Sequence, residues 1–579
     1  MMHVCLKKTW DGTAQCLGAA AMLALFGASS LASAETISAA QSNSARPNVL
    51  IILADDLGYS DLSAYGSEIP TPNLDALAGE GRLLTNHYVN PTCSPSRASL
   101  LSGSDSHVAG LGTMAEYLPF VKAVQGKPGY EGYLNERVHW LPEMLRVNGY
   151  HTYMAGKWHL GNAPGTWPNK RGFEHSFVLL QGGGSHFSAV PGKSIAADRG
   201  IYVEDGKVVQ LPENFYSSKN YTDKLINYIR QDANDGKPFF AYAAYTAPHW
   251  PLQAPDEDIE KFRGHYDAGY EVIRAARLAR MKALGIIAQD FKESAPVAAS
   301  SDYPTWDMLS LEQKQVEAKK MEVYAAMVSN MDSNIGRLIN TLKETGQYDN
   351  TAIIFMSDNG AEATPSFFPN NEHTDNSVGN IGRRLSNVGY GMRWAEVSAT
   401  PFRYFKGYTS EGGIASPAFV RLPGQSKPLP ALTQPTHISD IAPTVLELTH
   451  TPYDPTKSGE REVVPMTGNS LAKVLKGQEQ PSSLEQRVIA GELFGGRYVR
   501  DGEWKAVSIQ VPFSDNQWKL FNIATDRGET RDVSAQHPEV LKRLVKEWDE
   551  YAHVNGVVFA PSERMPDVRF NARSELEGK

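Results

Sequence analysis

Two apolar runs of strand length each end on a pair of oxygen-bearing side chains. In "PNVLIILADDLG" (residues 47–58) the run stops at Asp55 and Asp56, and in "NTAIIFMSDNG" (residues 350–360) at Asp358 and Asn359. A third run, "KPFFAYAAYTAPHWP" (residues 237–251), reads as a strand ending at His249. Continuous apolar runs bounded by turn residues suit strands covered on both faces, as in a parallel sheet. Ligands of open α/β sheets gather beyond the carboxyl ends of the strands. The pattern therefore predicts a doubly wound α/β domain with one site along that edge. A single Asp-Asp pair reads most simply as a turn or helix cap. Two oxygen-donor pairs, each closing an apolar strand, favour a site.

Cysteines cannot staple this chain. Of its 579 residues only Cys5, Cys16 and Cys93 are cysteine. Lys7 and Lys8 precede the run "CLGAAAMLALFGASSLASA", which ends on Ala32-Ser33-Ala34. A basic start, a short apolar core and a small-residue end predict a cleavable secretory signal over residues 1–34. The run is short and rich in Ala, Gly and Ser for a membrane span. Cys16 stands at the head of the run instead of following it, which argues against a lipoprotein site. Export to the periplasm or the medium, with no stable membrane insertion, is the expectation. Cleavage would leave Cys93 alone in an oxidising compartment, so the fold must rest on its hydrophobic core. The length allows one large domain and a smaller one. The formal charge is −9, and losing two lysines and one aspartate with the signal makes it one unit more negative. A modestly acidic exported chain is a poor nucleic-acid binder.

Between the strand runs lie helical patterns. In "LEQKQVEAKKMEVYAAMVSNMDSNIGRLINTLKETG", Val316, Val323, Met327, Met331, Ile335, Leu338 and Leu342 recur at spacings of three, four and seven, and Gly346 stops the pattern as a C-cap. That is core packing, with Asp332 in a structural role. Residues 255–310 read as an irregular charged insertion with a basic helix near Arg274–Lys282, either a solvated face or a lid. Near the end, "GGRYVRDGEWKAVSIQ" has a hairpin signature at Asp501-Gly502, followed by an amphipathic helix in "HPEVLKRLVKEWDEYAHVNG". The predicted organisation is a catalytic α/β domain over 47–470 and a small α+β domain over 486–560.

The remaining cysteine stands in "NPTCSPSRASL" (residues 90–100). A leftover cysteine is by default a small buried hydrophobe. Here Ser94 reads as an N-cap and Pro95 as the first residue of a helix that runs to Leu101 and ends before Gly103. Cys93 then precedes a helix N-terminus, where N–H groups favour an anion, and Arg97 follows one turn on with a guanidinium suited to oxyanions. Sulfur, anion hole and fixed positive charge together suit chemistry on a phosphate or sulfate group.

"CSPSR" resembles the C-x-P-S-R motif of the sulfatases, in which the cysteine is oxidised after synthesis to formylglycine (3-oxoalanine). "ADDLGYSDLSAYG", "TPNLDALAGEGRLLTNHYVNPTCSPSRASLLSG", "GYHTYMAGKWHLG", "TAPHWP", "SDNGAE" and "FKGYTSEGGI" follow the family's order over most of residues 47–448, and the C-terminal hairpin and helix follow more loosely. The chain is most similar to the bacterial arylsulfatases. The resemblance implies an alkaline-phosphatase-like mixed sheet, with a small C-terminal domain built on a short antiparallel sheet and a helix. It implies a metal site at Asp55, Asp56, Asp358 and Asn359, completed by the group made from Cys93. Hard oxygen donors without thiolate or imidazole suit Ca²⁺, or Mg²⁺, over zinc.

By the same resemblance, Arg97, Lys157, His159, His249 and Lys406 surround the nucleophile and the sulfate. Lys157 and His159, two apart in "GKWHLG", would share one face of an extended segment. In the implied reaction a hydroxyl of the hydrated aldehyde attacks sulfur, Asp358 orients or deprotonates it, and His249 protonates the leaving oxygen. Lys157 and Lys406 hold sulfate oxygens, and His159 assists sulfate release. The implied partners are a small sulfate ester and a formylglycine-generating maturation system. His87, His107, His139, His151 and His437 read as structural. A phosphate or phosphonate monoester hydrolase of the same superfamily is the nearest alternative, and a non-catalytic binder of sulfated glycans a more distant one.

Overall fold

The computed structural model describes residues 46–559, apart from 192, 194–197, 199, 365–369, 371 and 372. The expected signal over 1–34 lies outside the described residues. The main sheet has nine strands: β1 (Asn48–Ala54), β2 (Arg82–Leu83), β3 (His151–Lys157), β4 (His175–Leu179), β5 (Tyr202–Glu204), β6 (Lys207–Val209), β7 (Phe239–Ala244), β8 (Thr351–Ser357) and β9 (Ala418–Arg421). In space they run β2-β9-β8-β1-β7-β3-β4-β5-β6. The central strands β8, β1, β7, β3 and β4 are parallel. Antiparallel strands close both edges.

Alternation along β1 explains its unbroken apolar run. Leu50 and Ile52 enter a core on one side of the sheet, and Val49, Ile51 and Leu53 a second core on the other. Each such residue contributes about 1.5–3 kcal/mol by burial. Six helices matter here: α1 (Pro72–Glu80), α2 (Cys93–Ser102), α3 (Ser217–Asp232), α4 (Tyr270–Ala283), α5 (Leu311–Glu344) and α6 (Pro538–Asn555). The apolar faces of α1 and α5 enter the first core and that of α2 the second, so the sheet is covered on both sides.

α5 carries the predicted period. It opens with a capping box between Ser310 and Gln313, and Gly346 beyond its end has φ +68°. Its Asp332 is structural: the carboxylate accepts from Leu74 N at 2.8 Å and from Asn73 N and Nδ2 at 3.2 and 2.8 Å. A negative charge there satisfies the free N–H groups and the positive end of α1. The basic helix of the insertion is α4, and it has the expected solvated face, with Val272 among its exposed residues, together with a buried one formed by Tyr270, Arg277 and Met281. Arg277 is fully buried and ion-pairs with Asp61 and, at 2.8 Å, with Glu68. Burial would raise the Glu68 carboxyl, yet Arg277 holds it down to about 2. α4 thereby pins the loop that follows Asp55 and Asp56.

The C-terminal antiparallel sheet consists of β10 (Ile489–Leu493), β11 (Gly496–Asp501), β12 (Trp504–Ser508) and β13 (Trp518–Asn522). Asp501 pairs with Trp504 across a tight turn in which Gly502 has φ +56°, a backbone state that favours glycine. Val499, Ala506 and Leu520 face Leu544 and Trp548 of α6, whereas Tyr498, Val507 and Phe521 face the main core. Among the described residues no helix is long and apolar enough to cross a membrane.

Candidate active site

Strand register sets the site. Leu53 of β1 lies opposite Ala244 of β7 and Met356 of β8, and Gly156 of β3 also lies opposite Ala244. The four strands therefore stop level, and the residues just past their ends share one edge. Asp55 and Asp56 follow β1, Asp358 and Asn359 follow β8, and Lys157 is the last residue of β3. His249 does not end its strand. β7 stops at Ala244, and the chain turns so that His249 N donates to Thr246 O at 2.9 Å. Pro248 and Pro251, which lack the N–H a ladder needs, explain the early stop.

α2 differs from expectation at its start. Thr92 is the N-cap residue, Cys93 opens the helix, and Ser94 lies in the first turn with no side-chain cap. The far end agrees, with Gly103 at φ +69° donating to Ser99 O. Every residue of α2 is buried, so the first-turn N–H groups that lack intrahelical partners lie inside the molecule.

Around that end the charges interlock. Arg97 Nε donates to Asp358 Oδ2 at 2.9 Å, its Nη2 lies 2.8 Å from the same oxygen and 3.5 Å from Asp55 Oδ1, and its Nη1 donates to Lys157 O at 2.9 Å. Lys157 Nζ grips both oxygens of Asp55 at 2.9 and 2.7 Å. Lys406 Nζ grips those of Asp56 at 2.8 and 3.0 Å and also reaches Glu362 at 2.9 Å. Asn359 Nδ2 donates to Asp56 Oδ1 at 2.7 Å, and Cys93 Sγ lies 3.8 Å from that oxygen. Burial would raise the Asp55 carboxyl, but Lys157, Arg97 and Lys406 overcome it and hold it below the usual range. Burial prevails at Asp56, which stays above that range against Lys406 and His249. The Cys93 thiol is pushed up by burial, against the lysines, so it is protonated and no nucleophile as it stands.

The two histidines form the outer part of the site. His249 Nδ1 bonds the carbonyl of Trp250, which places a proton on Nδ1 and turns Nε2 towards Asp56 at 3.5 Å. Burial, with Lys157 and Lys406 adding to it and Asp56 opposing, pushes this ring down to about 3. His159 does not continue an extended segment with Lys157: its φ is +53°, and its Nε2 reaches Glu116. Both rings lie against a glycine-only wall, since a Cβ at Gly182 would sit 2.5 Å from His159 and one at Gly183 3.0 Å from His249.

The donor set fits a hard divalent cation. Asp55, Asp56, Cys93 and His249 bring ligand atoms within 4.8 Å of one another, and Asp358 and Asn359 adjoin them. Asn359 Oδ1 is buried with no hydrogen-bond partner among the described residues. A cation would give that oxygen its partner and offset the burial that raises Asp56.

The structure thus brings together all ten residues singled out from the sequence. Sequence reasoning missed Glu362, although it lies in the quoted "SDNGAE", and Glu116, for which no local pattern gives a signal. The bland histidines have bland partners: Thr436 for His87, Pro455 O for His139, Glu174 and Asp235 for His151, and Ser439 for His437. His107 is bound by nearby Asp105 at 2.9 Å and by distant Glu492 at 3.3 Å.

A mixed α/β sheet that gathers carboxylates, lysines and a helix-terminal cysteine at its carboxyl edge defines a class of ester hydrolases acting on tetrahedral oxyanions. Comparison with known proteins narrows the class. A sulfatase family profile matches residues 47–451. An uncharacterized sulfatase of Schizosaccharomyces pombe is 44% identical over 538 residues, covering 90% of this chain and 96% of that protein. The arylsulfatase of Klebsiella aerogenes is 42% identical over 453 residues, covering 76% of this chain and 95% of that enzyme. The crystal structure of Ps i-CgsB superposes with a TM-score of 0.64 at 27% identity, over 92% of this chain and 98% of that one. The chain belongs to the sulfatase family, and as such it is a sulfuric ester hydrolase.

Proposed function

We propose that the protein is an arylsulfatase that cleaves sulfate monoesters to a phenol or alcohol and sulfate, using a formylglycine hydrate made from Cys93 and a bound Ca²⁺. The observation that carries this reading is the charge inventory around Cys93. Four buried carboxylates (Asp55, Asp56, Asp358 and Glu362) face three buried cations (Arg97, Lys157 and Lys406). Buried charge must be compensated. A divalent cation and the monoanion of a sulfate ester bring the set to neutrality. Sulfate over phosphate is supported by the sulfatase profile match and by the 42% identity to the arylsulfatase of Klebsiella aerogenes.

When bound, the cation, held by Asp55, Asp56, Asp358, Asn359 and the Cys93-derived group, supplies Lewis-acid polarisation. Arg97 fixes Asp358 and Asp55 from behind, and Asp358 orients or deprotonates the nucleophilic hydroxyl. Lys157 and Lys406 offset the charge on the sulfate oxygens, and they do so from positions already locked by ion pairs. His249, neutral in the free protein, takes up a proton along with the anionic substrate and delivers it from Nε2 to the leaving oxygen. His159 takes a proton as sulfate departs. The reading also includes export through residues 1–34 to the periplasm or medium and conversion of Cys93 by a formylglycine-generating system.

Purified protein assayed on matched aryl sulfate, phosphate and phosphonate esters at neutral pH tests this. Sulfate should be the preferred substrate, and preference for phosphate or phosphonate would replace the reading with hydrolysis of those esters.

A further inference from the structure

We infer that Glu116 is a positioning residue: its carboxylate holds His159 as the Nε2–H tautomer, leaving Nδ1 as the proton acceptor at the reacting centre. The inference rests on the formylglycine reading for the step that uses this acceptor.

His159 is held from several directions. A non-glycine residue at φ +53° costs on the order of 1–3 kcal/mol and persists only where the surroundings impose it. Its N–H donates to Leu180 O at 3.0 Å, and Gly182 leaves room for its ring where a Cβ would lie 2.5 Å from Cε1 and 2.6 Å from Nε2. Nε2 lies 3.1 and 3.2 Å from the two oxygens of Glu116. Glu116 belongs to a short 3-10 turn, Ala115–Phe120, whose next residue, Tyr117, packs edge-on against Phe494, in the turn between β10 and β11, at 5.1 Å. The carboxylate is therefore anchored as well as paired, although its side chain is 47% exposed.

An ionised carboxylate only accepts, so the shared proton belongs to Nε2. Burial lowers the ring's pKa against the opposing pull of Glu116, which keeps it neutral in the free protein. Nδ1 is then a bare lone pair, and it is fully buried with no partner among the described residues. An unpaired buried acceptor is costly and invites an explanation in function. Carboxylate–imidazole pairs fix the tautomer and aim the other nitrogen at the chemistry. As sulfate leaves with the bonding electron pair, the hydroxyl proton of the Cys93-derived group passes to Nδ1, the carbonyl re-forms, and the proton is lost to solvent.

Glu116→Gln decides the matter. The amide is nearly isosteric and satisfies a purely structural role, but its NH₂ can donate to Nε2 and move the ring proton to Nδ1. With an aryl sulfate, kcat should fall about ten- to a hundredfold in both Glu116→Gln and Glu116→Ala, with KM nearly unchanged. Histidine ¹⁵N NMR of the full chain, with the resonance assigned by its loss in His159→Gln, should show Nε2–H in the wild type and Nδ1–H in Glu116→Gln. Wild-type turnover in Glu116→Gln, or an Nδ1–H ring in the wild type, would overturn the inference. The NMR result does not require converted Cys93. Failure of the sulfatase reading would show separately, as absence of sulfate release by the wild type.

Discussion

At the scale of the residue, each charged group in the site has a neighbour that fixes its state. That makes roles separable by substitution. A phenolate leaves unaided, whereas an alkoxide needs a proton as it departs. His249→Ala should therefore slow poorly activated sulfate esters about 10²–10⁴-fold more than nitrophenyl sulfate in steady-state assays. An equal loss across leaving groups would remove His249 from the acid role. The carboxylates make a different prediction. Stripping the protein with chelator should abolish turnover, Ca²⁺ should restore it better than Zn²⁺, and Asp358→Ala should lower bound metal as measured by atomic emission. Unchanged metal content in that variant would move the cation elsewhere. The strand-end carboxylates were legible in the sequence because each follows a strand whose apolar run ends abruptly, whereas the role of His249 came from the family resemblance. Glu116 and Glu362 were not legible, since their importance arises only from folding against His159 and Lys406.

Elements carry the site by stopping where they do. Apolar periodicity located β1, β8 and α5, because burial on two faces or one stripe leaves a direct trace in composition. Ends were harder to read. Ser94 was the better cap by type, yet Thr92 occupies the position because Cys93 itself enters the helix. The charged character of α4 hid the role of Arg277, which is invisible until Asp61 and Glu68 are brought beside it. Removing one partner of a buried ion pair typically costs about 3–5 kcal/mol. Arg277→Met should lose stability of that order by denaturant titration. It should also weaken metal retention, because the loop it pins follows directly on Asp55 and Asp56. A stability change within about 0.5 kcal/mol, the range of ordinary surface substitutions, would show that the pair is not structural.

Across the whole molecule, buried charges join the C-terminal sheet to the short helical turn Glu411–Ile414 that precedes β9. Lys505 of β12 lies 2.8 Å from both Glu411 and Glu529, and Arg527 lies 2.9 Å from Glu411, with the lysine and both glutamates fully buried. His107 makes a second link, from Asp105 in the loop after α2 to Glu492 of β10. Burial alone would lower this histidine, but Asp105 and Glu492 raise it to about 9. A folded pKa above the unfolded value of about 6.5 contributes stability that is complete below pH ~6.5 and is lost as pH rises through about 9, by up to about 3 kcal/mol. Thermal melts should show that decline in the wild type, and His107→Gln should flatten it. An unaltered pH profile in His107→Gln would contradict a charged bridge. The sequence showed both the small sheet and His107, but not their contact, because a lone histidine has no pattern that names a partner 385 positions away.

The most direct test of the whole account is the mass of one tryptic peptide, residues 83–97, from protein whose aryl sulfatase activity has been measured. The account predicts that in active protein Cys93 has exchanged its sulfur for oxygen with loss of two hydrogens, and that the peptide reacts with hydrazides and resists alkylation. A fully active preparation in which this peptide carries an unmodified, alkylatable thiol would contradict it.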